Sequence, residues 1–393
     1  MRRRPMLVVF VLCLALCLGV AGPAIGCGGT ETEATATPES TLEADSHDAS
    51  PEPPSVEPGM LCLYFMDWTA AKTTSLGQHG EVSEHEGGIF RFVPALGDLS
   101  EMSSFFYSSL GYRSSQRPYT VGGRLFVVNV SESGSASFRE LNPVSKASIG
   151  QAVSVKTRSE YTGWSSFAIV GNRVYYKEAR EWDYMYGYSG GSFKMKELDS
   201  DKSAELLLGH SHSQNYGALY AVGEQLFRVD TFEDMSTLVV NRIDLSTGEI
   251  EKQLQFSLGS EESGVDNFST TLYFSDQNAL YRASQMKDPI EDASGQPIYL
   301  IALWRLTSAD FEEDKGFQYI EALPILEGEL AAADADDGCV VLQMRLDSGN
   351  HFIVYECATG SISDSYLPWG IQSGDAQSAN DVYYMQVLIA RSS

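Results

Sequence analysis

The sequence predicts an all-β fold, a six-bladed β-propeller spanning residues 60–393 behind an export segment and a polar tether. Three observations predict it. First, no long helical periodicity appears after residue 60: short β-branched and aromatic runs alternate with Gly, Asn, Asp and Ser turns. Second, a turn followed by a strand recurs as Gly122-Gly123-Arg124-Leu125-Phe126, Gly171-Asn172-Arg173-Val174-Tyr175 and Gly223-Glu224-Gln225-Leu226-Phe227. Weaker copies are Gln277-Asn278-Ala279-Leu280-Tyr281 and Asp337-Gly338-Cys339-Val340-Val341. The aligned apolar positions 125, 174, 226, 280 and 340 are 49, 52, 54 and 60 residues apart. A period near 50 with several strands per unit is a propeller signature. Third, the two ends are complementary fragments of one more unit.

The strands follow in order. A short run before each copy, such as 166–170 or 219–222, is the first strand, and the copy itself is the second. The third ends in a polar turn, as in Phe138-Arg139-Glu140-Leu141-Asn142 or Val239 to Asp244, and the fourth follows that turn, as in Lys252 to Ser257. Five blades are complete at roughly 117–158, 163–212, 216–259, 267–326 and 330–368. Residues 61–67, 89–95 and 104–108 are three strands lacking a first, and 381–391 is one strand lacking the rest. Pairing them makes a sixth blade and removes the open edges that invite aggregation. A seventh blade is the alternative, if 371–393 begins a unit of its own.

Residues 1–26 read as an export signal. Arg2, Arg3 and Arg4 precede an apolar run from Met6 to Val20, which is short for a membrane span, and Gly19, Gly22 and Pro23 then interrupt any helix. Ala24-Ile25-Gly26-Cys27 resembles the lipobox of bacterial lipoproteins, with Ala24 and Ile25 departing from its usual first two residues. The resemblance implies cleavage before Cys27, lipid on its sulfur, and an extracytoplasmic protein anchored to a membrane rather than spanning it. An ordinary cleavage, after Ala21, is the other reading. Residues 27–59 form the tether. From 28 onward they hold eight acidic residues, five prolines and no Lys or Arg, a composition that cannot bury enough apolar surface to order itself.

Charge and cysteines bound the rest. The chain carries −26, and losing the three signal arginines makes it −29. Such a field repels nucleic acid and anionic lipid, and it favours solubility or a cationic partner. Three cysteines remain after the tether: Cys62, Cys339 and Cys357. Cys339 and Cys357 flank Asp347-Ser348-Gly349-Asn350. A three-residue hairpin loop sets them opposite each other for a disulfide, while a two- or four-residue loop turns them to opposite faces.

The strand–turn pattern ending in Thr-Gly (Thr247-Gly248, Thr359-Gly360) resembles the propellers of quinoprotein-like and TolB-like bacterial proteins. The tryptophan that marks each quinoprotein blade does not recur: Trp164, Trp182, Trp304 and Trp369 fall at unrelated places. Recurrent Gly-His and Trp-Asp pairs are also missing, which argues against a WD40 array.

Catalytic motifs fail on context. Gly187-Tyr188-Ser189-Gly190-Gly191 matches the nucleophile-elbow pattern but lies between strands with no following helix. Ser284-Gln285-Met286-Lys287 lacks the downstream Lys-Thr-Gly of penicillin-interacting enzymes. Asp334-Ala335-Asp336-Asp337-Gly338 has its glycine one residue early for an EF-hand, and Arg345 stands where glutamate belongs, so it reads as a solvated turn. His210 and His212 would share one strand face, a start for a metal site without a third ligand. No catalytic residue, metal or cofactor is assigned.

The binding candidate is aromatic. Trp182, Tyr184, Tyr186 and Tyr188 alternate with Asp183, Met185 and Gly187, so on one strand all four rings would project from one face. They would either fill space between blades or form an exposed ladder for a sugar or a protein. The function expected is a monomeric, membrane-anchored extracytoplasmic lipoprotein whose propeller binds an envelope protein, a peptide or a glycan without catalysis, and not nucleic acid. The rival is an envelope hydrolase or quinone-dependent dehydrogenase with its site in the propeller channel.

Overall fold

A computed structural model of the chain describes residues 56–77, 80–108, 115–130, 135–156, 167–183, 187–211, 218–231, 237–257, 268–291, 295, 297–325, 328–346, 349–368 and 383–390. Residues 1–55 lie outside them. Among the described residues no helix is long and apolar enough to cross a membrane.

Six antiparallel sheets follow one another along the chain. Blade 1 takes β1 (Leu61–Gly77), β2 (Gly80–Val93) and β3 (Asp98–Ser108) from the N-terminal part. Blade 2 is β4 (Ser115–Val121), β5 (Arg124–Val130), β6 (Ser135–Leu141) and β7 (Ser148–Lys156). Blade 3 is β8 (Phe167–Val170), β9 (Arg173–Asp183), β10 (Gly187–Glu197) and β11 (Glu205–Ser211). Blade 4 is β12 (Ala218–Val222), β13 (Gln225–Thr231), β14 (Thr237–Ile243) and β15 (Ile250–Ser257). Blade 5 holds β16 (Phe268–Ser275), β17 (Ala279–Met286), the two-residue β18 (Ile290–Glu291), β19 (Pro297–Thr307), the helix α1 (Ser308–Glu312) and β20 (Gln318–Ile325). Blade 6 is β21 (Glu329–Asp336), β22 (Cys339–Leu346), β23 (Gly349–Glu356) and β24 (Ser361–Pro368). The last strand, β25 (Tyr383–Ile389), returns to blade 1 and pairs with β1, Leu63 opposite Val387, giving the order β25-β1-β2-β3. The count is six blades, and the C-terminal strand completes the N-terminal one.

Six apolar clusters fill the six junctions between neighbouring blades. Tyr64 and Ile89 meet Leu125 and Val127 between blades 1 and 2, and Phe126 and Phe138 meet Phe167 and Tyr176 between blades 2 and 3. Tyr175 meets Leu226 and Ile243 between blades 3 and 4, and Phe227 and Val240 meet Leu280 and Phe311 between blades 4 and 5. Tyr281 and Leu303 meet Val340 and Ile353 between blades 5 and 6. The sixth cluster, Val341 and Phe352 against Phe65 and Val387, joins blade 6 back to blade 1, so the ring is closed. This geometry explains the unbroken apolar runs at second strands. In β22, Val340 and Leu342 face blade 5 while Val341 faces blade 1, so both faces must be apolar. Fourth strands have only one covered side, and most of β7 is exposed.

Turns between first and second strands use backbone that few residues tolerate. Gly122 and Gly123 have φ of 58° and 77°, and Asp337 and Gly338 have 51° and 77°. Two successive positive φ values suit a tight hairpin, and Asn, Asp and Gly adopt them at least cost.

The candidate Cys339–Cys357 disulfide is not formed: both are free, as is Cys62. The hairpin closes as Leu346 opposite Gly349, leaving a two-residue loop, and Cys339 therefore pairs with Glu356. Cys339 packs toward blade 1 and Cys357 toward blade 5, on opposite faces of the sheet. Helix α1 was not anticipated. Its N-terminus is a capping box between Thr307 and Asp310, and its Phe311 stands edge-on to Phe227 at 5.0 Å, fastening blade 5 to blade 4.

Candidate binding surfaces

The innermost strands carry the polar groups nearest the ring's centre, and these groups hold the ring shut. Asp334 and Asp336 are on β21, both buried. Asp334 Oδ2 accepts the Val387 backbone N–H at 2.7 Å, and Asp336 Oδ2 accepts that of Ile389 at 2.8 Å. On the other side Gln386 Oε1 accepts the Thr120 N–H at 3.0 Å, and the Thr120 hydroxyl also points to Asp334. Strand β25 is thus latched to blade 6 by two carboxylates and to blade 2 by one amide. A similar staple joins blades 5 and 6: Asp276 caps its own turn through Asn278 and Ala279 and accepts the Gly338 N–H at 2.7 Å. The Asp334–Gly338 segment is therefore not a solvated turn. Only Asp337 and Gly338 make the turn, while Asp334 and Asp336 work inside the ring.

Burial pushes the Asp334 carboxyl well above the usual range, and the nearby Asp336 and Asp276 add to the push against its amide partners. A raised carboxyl favours folding most below the unfolded value of about 3.9, and this advantage is lost as pH rises through the raised value. Asp334→Asn keeps an acceptor for Val387 but cannot ionise. The melting temperature of the wild type, relative to that of the variant, is expected to fall as pH is raised from 4 to 8. A difference that stays flat across this range would show that Asp334 titrates as in the unfolded chain.

A second buried polar group lies between blades 3 and 4. Asp230 Oδ2 accepts Arg228 Nε at 2.9 Å and Asn241 Nδ2 at 2.7 Å. Burial lowers the Lys177 ammonium, and Arg228 lowers it further. The arrangement neutralises a buried carboxylate with partners from blade 4 itself.

The aromatic run is divided by a turn. Trp182 is next to last in β9, Tyr188 is second in β10, and the two are register partners; Asp183 lies opposite Gly187. The four aromatics therefore do not share one strand, as the alternation suggested, because the chain reverses between 183 and 187. Tyr184 and Tyr186 fall outside the described residues. The hairpin has eleven residues on each strand; among the described residues β8 pairs with 173–176 and β11 with 191–195. Blade 1 also has a long hairpin, where β1 and β2 pair out to Gly77 and Gly80.

The remaining motifs are structural. Ser189 pairs with Glu181 inside the same hairpin, with no strand-to-helix turn. Ser284 is buried and shares hydrogen bonds with Thr271, at 2.9 Å, and with Arg282. His210 lies in β11, and His212 is outside the described residues. Among the described residues no group of three His, Cys, Asp or Glu side chains is placed to hold a metal ion.

The fold and its inner latch define the chain as a closed six-bladed β-propeller. No protein-family model matches it, and no curated protein does. Solved structures do. TolB from Acinetobacter baumannii is 12% identical with a TM-score of 0.36, over 78% of this chain and 70% of that one. The β-propeller domain of the Trilobed protease from Pyrococcus furiosus is 11% identical with a TM-score of 0.36, over 66% of this chain and 85% of that one. An uncharacterized protein from Listeria monocytogenes EGD-e is 8% identical with a TM-score of 0.32, over 80% and 97%.

Proposed function

We propose that the chain is a bacterial extracytoplasmic lipoprotein that works as a monomer by binding. In this reading, residues 1–26 direct export, lipid on Cys27 anchors the protein, and residues 27–59 tether it. The propeller of residues 60–393 engages an envelope protein, a peptide or a glycan without catalysis. The observation that carries the binding reading is the long β9–β10 hairpin. It runs for eleven residues on each strand and carries Trp182 and Tyr188 as register partners near its closing turn. Aromatic residues near the end of a long hairpin suit stacking on sugar rings or anchoring a partner. An enzyme with its site in the channel would need free ionisable groups there, whereas Asp334 and Asp336 are engaged with β25.

The anchor is tested by fractionating cells that express the wild type and Cys27→Ala. The wild type is expected in the membrane fraction and the variant in the soluble one. A variant that stays with the membrane would remove the lipid from the account.

A further inference from the structure

The junction between blades 3 and 4 keeps a regular register. Tyr175 of β9 packs with Leu226 of β13, and both second strands run in the same direction, away from the turn that precedes them. Two residues further along each strand, on the same sheet faces, come Lys177 and Arg228. Asp230 follows on β13, and Asn241 of β14 is the register partner of Arg228. The next register pair on this face of blade 3 is Ala179 with Gly191, neither of which has a side chain long enough to reach across the junction.

Arg228 is pinned at one end of its guanidinium. Nε donates to Asp230 Oδ2 at 2.9 Å, and Asn241 Nδ2 donates to the same oxygen at 2.7 Å. Asp230 and Asn241 are both buried, so the guanidinium is oriented by a packed support. Its Nη1 and Nη2 have no protein partner among the described residues, and neither is sealed from solvent; the side chain as a whole keeps 19% exposure. A second cation stands across the junction from this fork. Burial lowers the Lys177 ammonium first and Arg228 lowers it next, as expected of like charges brought close, while Asp230 offsets part of the effect. The junction therefore holds two cations to one carboxylate, in a chain whose total charge is −26.

We infer that a single carboxylate docks on the Nη1 and Nη2 fork of Arg228, with Lys177 beside it. A guanidinium whose Nε is engaged still offers those two nitrogens side by side, which matches the two oxygens of a carboxylate. One monoanion balances the local excess of positive charge, whereas the field of the whole chain repels a polyanion. Because most of the Arg228 side chain is covered, the carboxylate must be carried on a slender stem. A free small acid and the carboxyl end of a peptide share this chemistry. The inference depends neither on the lipid anchor nor on Trp182 and Tyr188.

The test uses the purified chain at low ionic strength and saturation-transfer NMR of the ligand. The probes are lactate, N-acetylglycine and inorganic phosphate, with N-acetylglycinamide as the neutral control. Saturable binding is expected for both carboxylic acids and none for the amide. In protein carrying isotope-labelled arginine, the Arg228 Nε–H resonance, assigned by its loss in Arg228→Lys, is expected to shift with the same affinity. Arg228→Lys keeps a cation beside Asp230 but loses the fork, and is expected to weaken both acids at least about tenfold. Lys177→Met keeps the stem and removes the charge, and is expected to weaken them about threefold. Lys202→Met removes an exposed charge elsewhere on blade 3 and is expected to bind as the wild type does. Melting curves show which variants fold, and if Arg228→Lys does not, Lys177→Met decides. Tighter binding of lactate identifies a free small acid, and tighter binding of N-acetylglycine identifies a peptide end. Unchanged affinity in Arg228→Lys and Lys177→Met would overturn the inference. So would an equal loss in Lys202→Met, equal binding of the amide, tighter binding of phosphate than of either acid, or the lack of a saturable site.

Discussion

Removing residues 383–393 is expected to destroy the cooperative melting of the propeller and to produce soluble aggregates or precipitate. Met385, Val387 and Leu388 are all buried, with exposures of 2%, 0% and 1%. Each contributes roughly 1.5–3 kcal/mol through burial. Their loss alone approaches the whole stability of a typical domain, about 5–15 kcal/mol. Truncation also leaves β1 as an open edge and orphans Asp334, Asp336 and the Thr120 N–H, whose partners are on β25. Buried groups without partners cost a further 1–3 kcal/mol each, roughly, and open edges recruit other chains. The measurement is thermal circular dichroism together with size-exclusion chromatography. A synthetic peptide of residues 381–393 added in trans should restore the transition, since the strand docks by main-chain pairing and two apolar faces. An unchanged melt after truncation would mean that blade 1 does not need β25.

Replacing Trp182 and Tyr188 together by Ala is expected to lower partner binding by about 30-fold or more while leaving the melting temperature nearly unchanged. Aromatic hot spots contribute about 2 kcal/mol or more on truncation. Surface substitutions away from packed junctions change stability by only about 0.5 kcal/mol. The contrast between the two readouts is the informative part. If the rings were filler between blades, the double substitution would lower stability by several kcal/mol, on the order of two large core truncations. Affinity measured on the tethered protein and melting of the purified propeller would separate the two roles.

The blades were legible because each second strand is buried on both faces and so reads as an apolar run behind a turn, as at Leu125 to Val128 and Val340 to Leu342. The split blade was legible for a similar reason: the ends supplied complementary strands, and an open ring would leave edges. What was not legible depended on single-residue register or on distant partners. One residue in the 346–349 loop decides whether Cys339 faces Cys357 or Glu356. Asp334 and Asp336 look like turn acids until β25 arrives, 53 residues later, to use them. The aromatic alternation from 182 to 188 is as compatible with a hairpin as with a strand, and only the register Asp183 to Gly187 decides between them. Helix α1 did leave a signal, the Thr307–Asp310 capping pair, which is easily passed over inside a β-rich unit.

The central claim is that a tethered, closed propeller works by binding through the blade 3 hairpin. Its most direct test is photo-cross-linking in intact cells, with a benzophenone side chain at position 182 and, as a control, at Tyr319, which is exposed on the outer strand of blade 5. The expected result is a discrete adduct from position 182, found in the membrane fraction, with no matching adduct from position 319. No discrete adduct at 182, or the same adducts from both positions, would contradict the account.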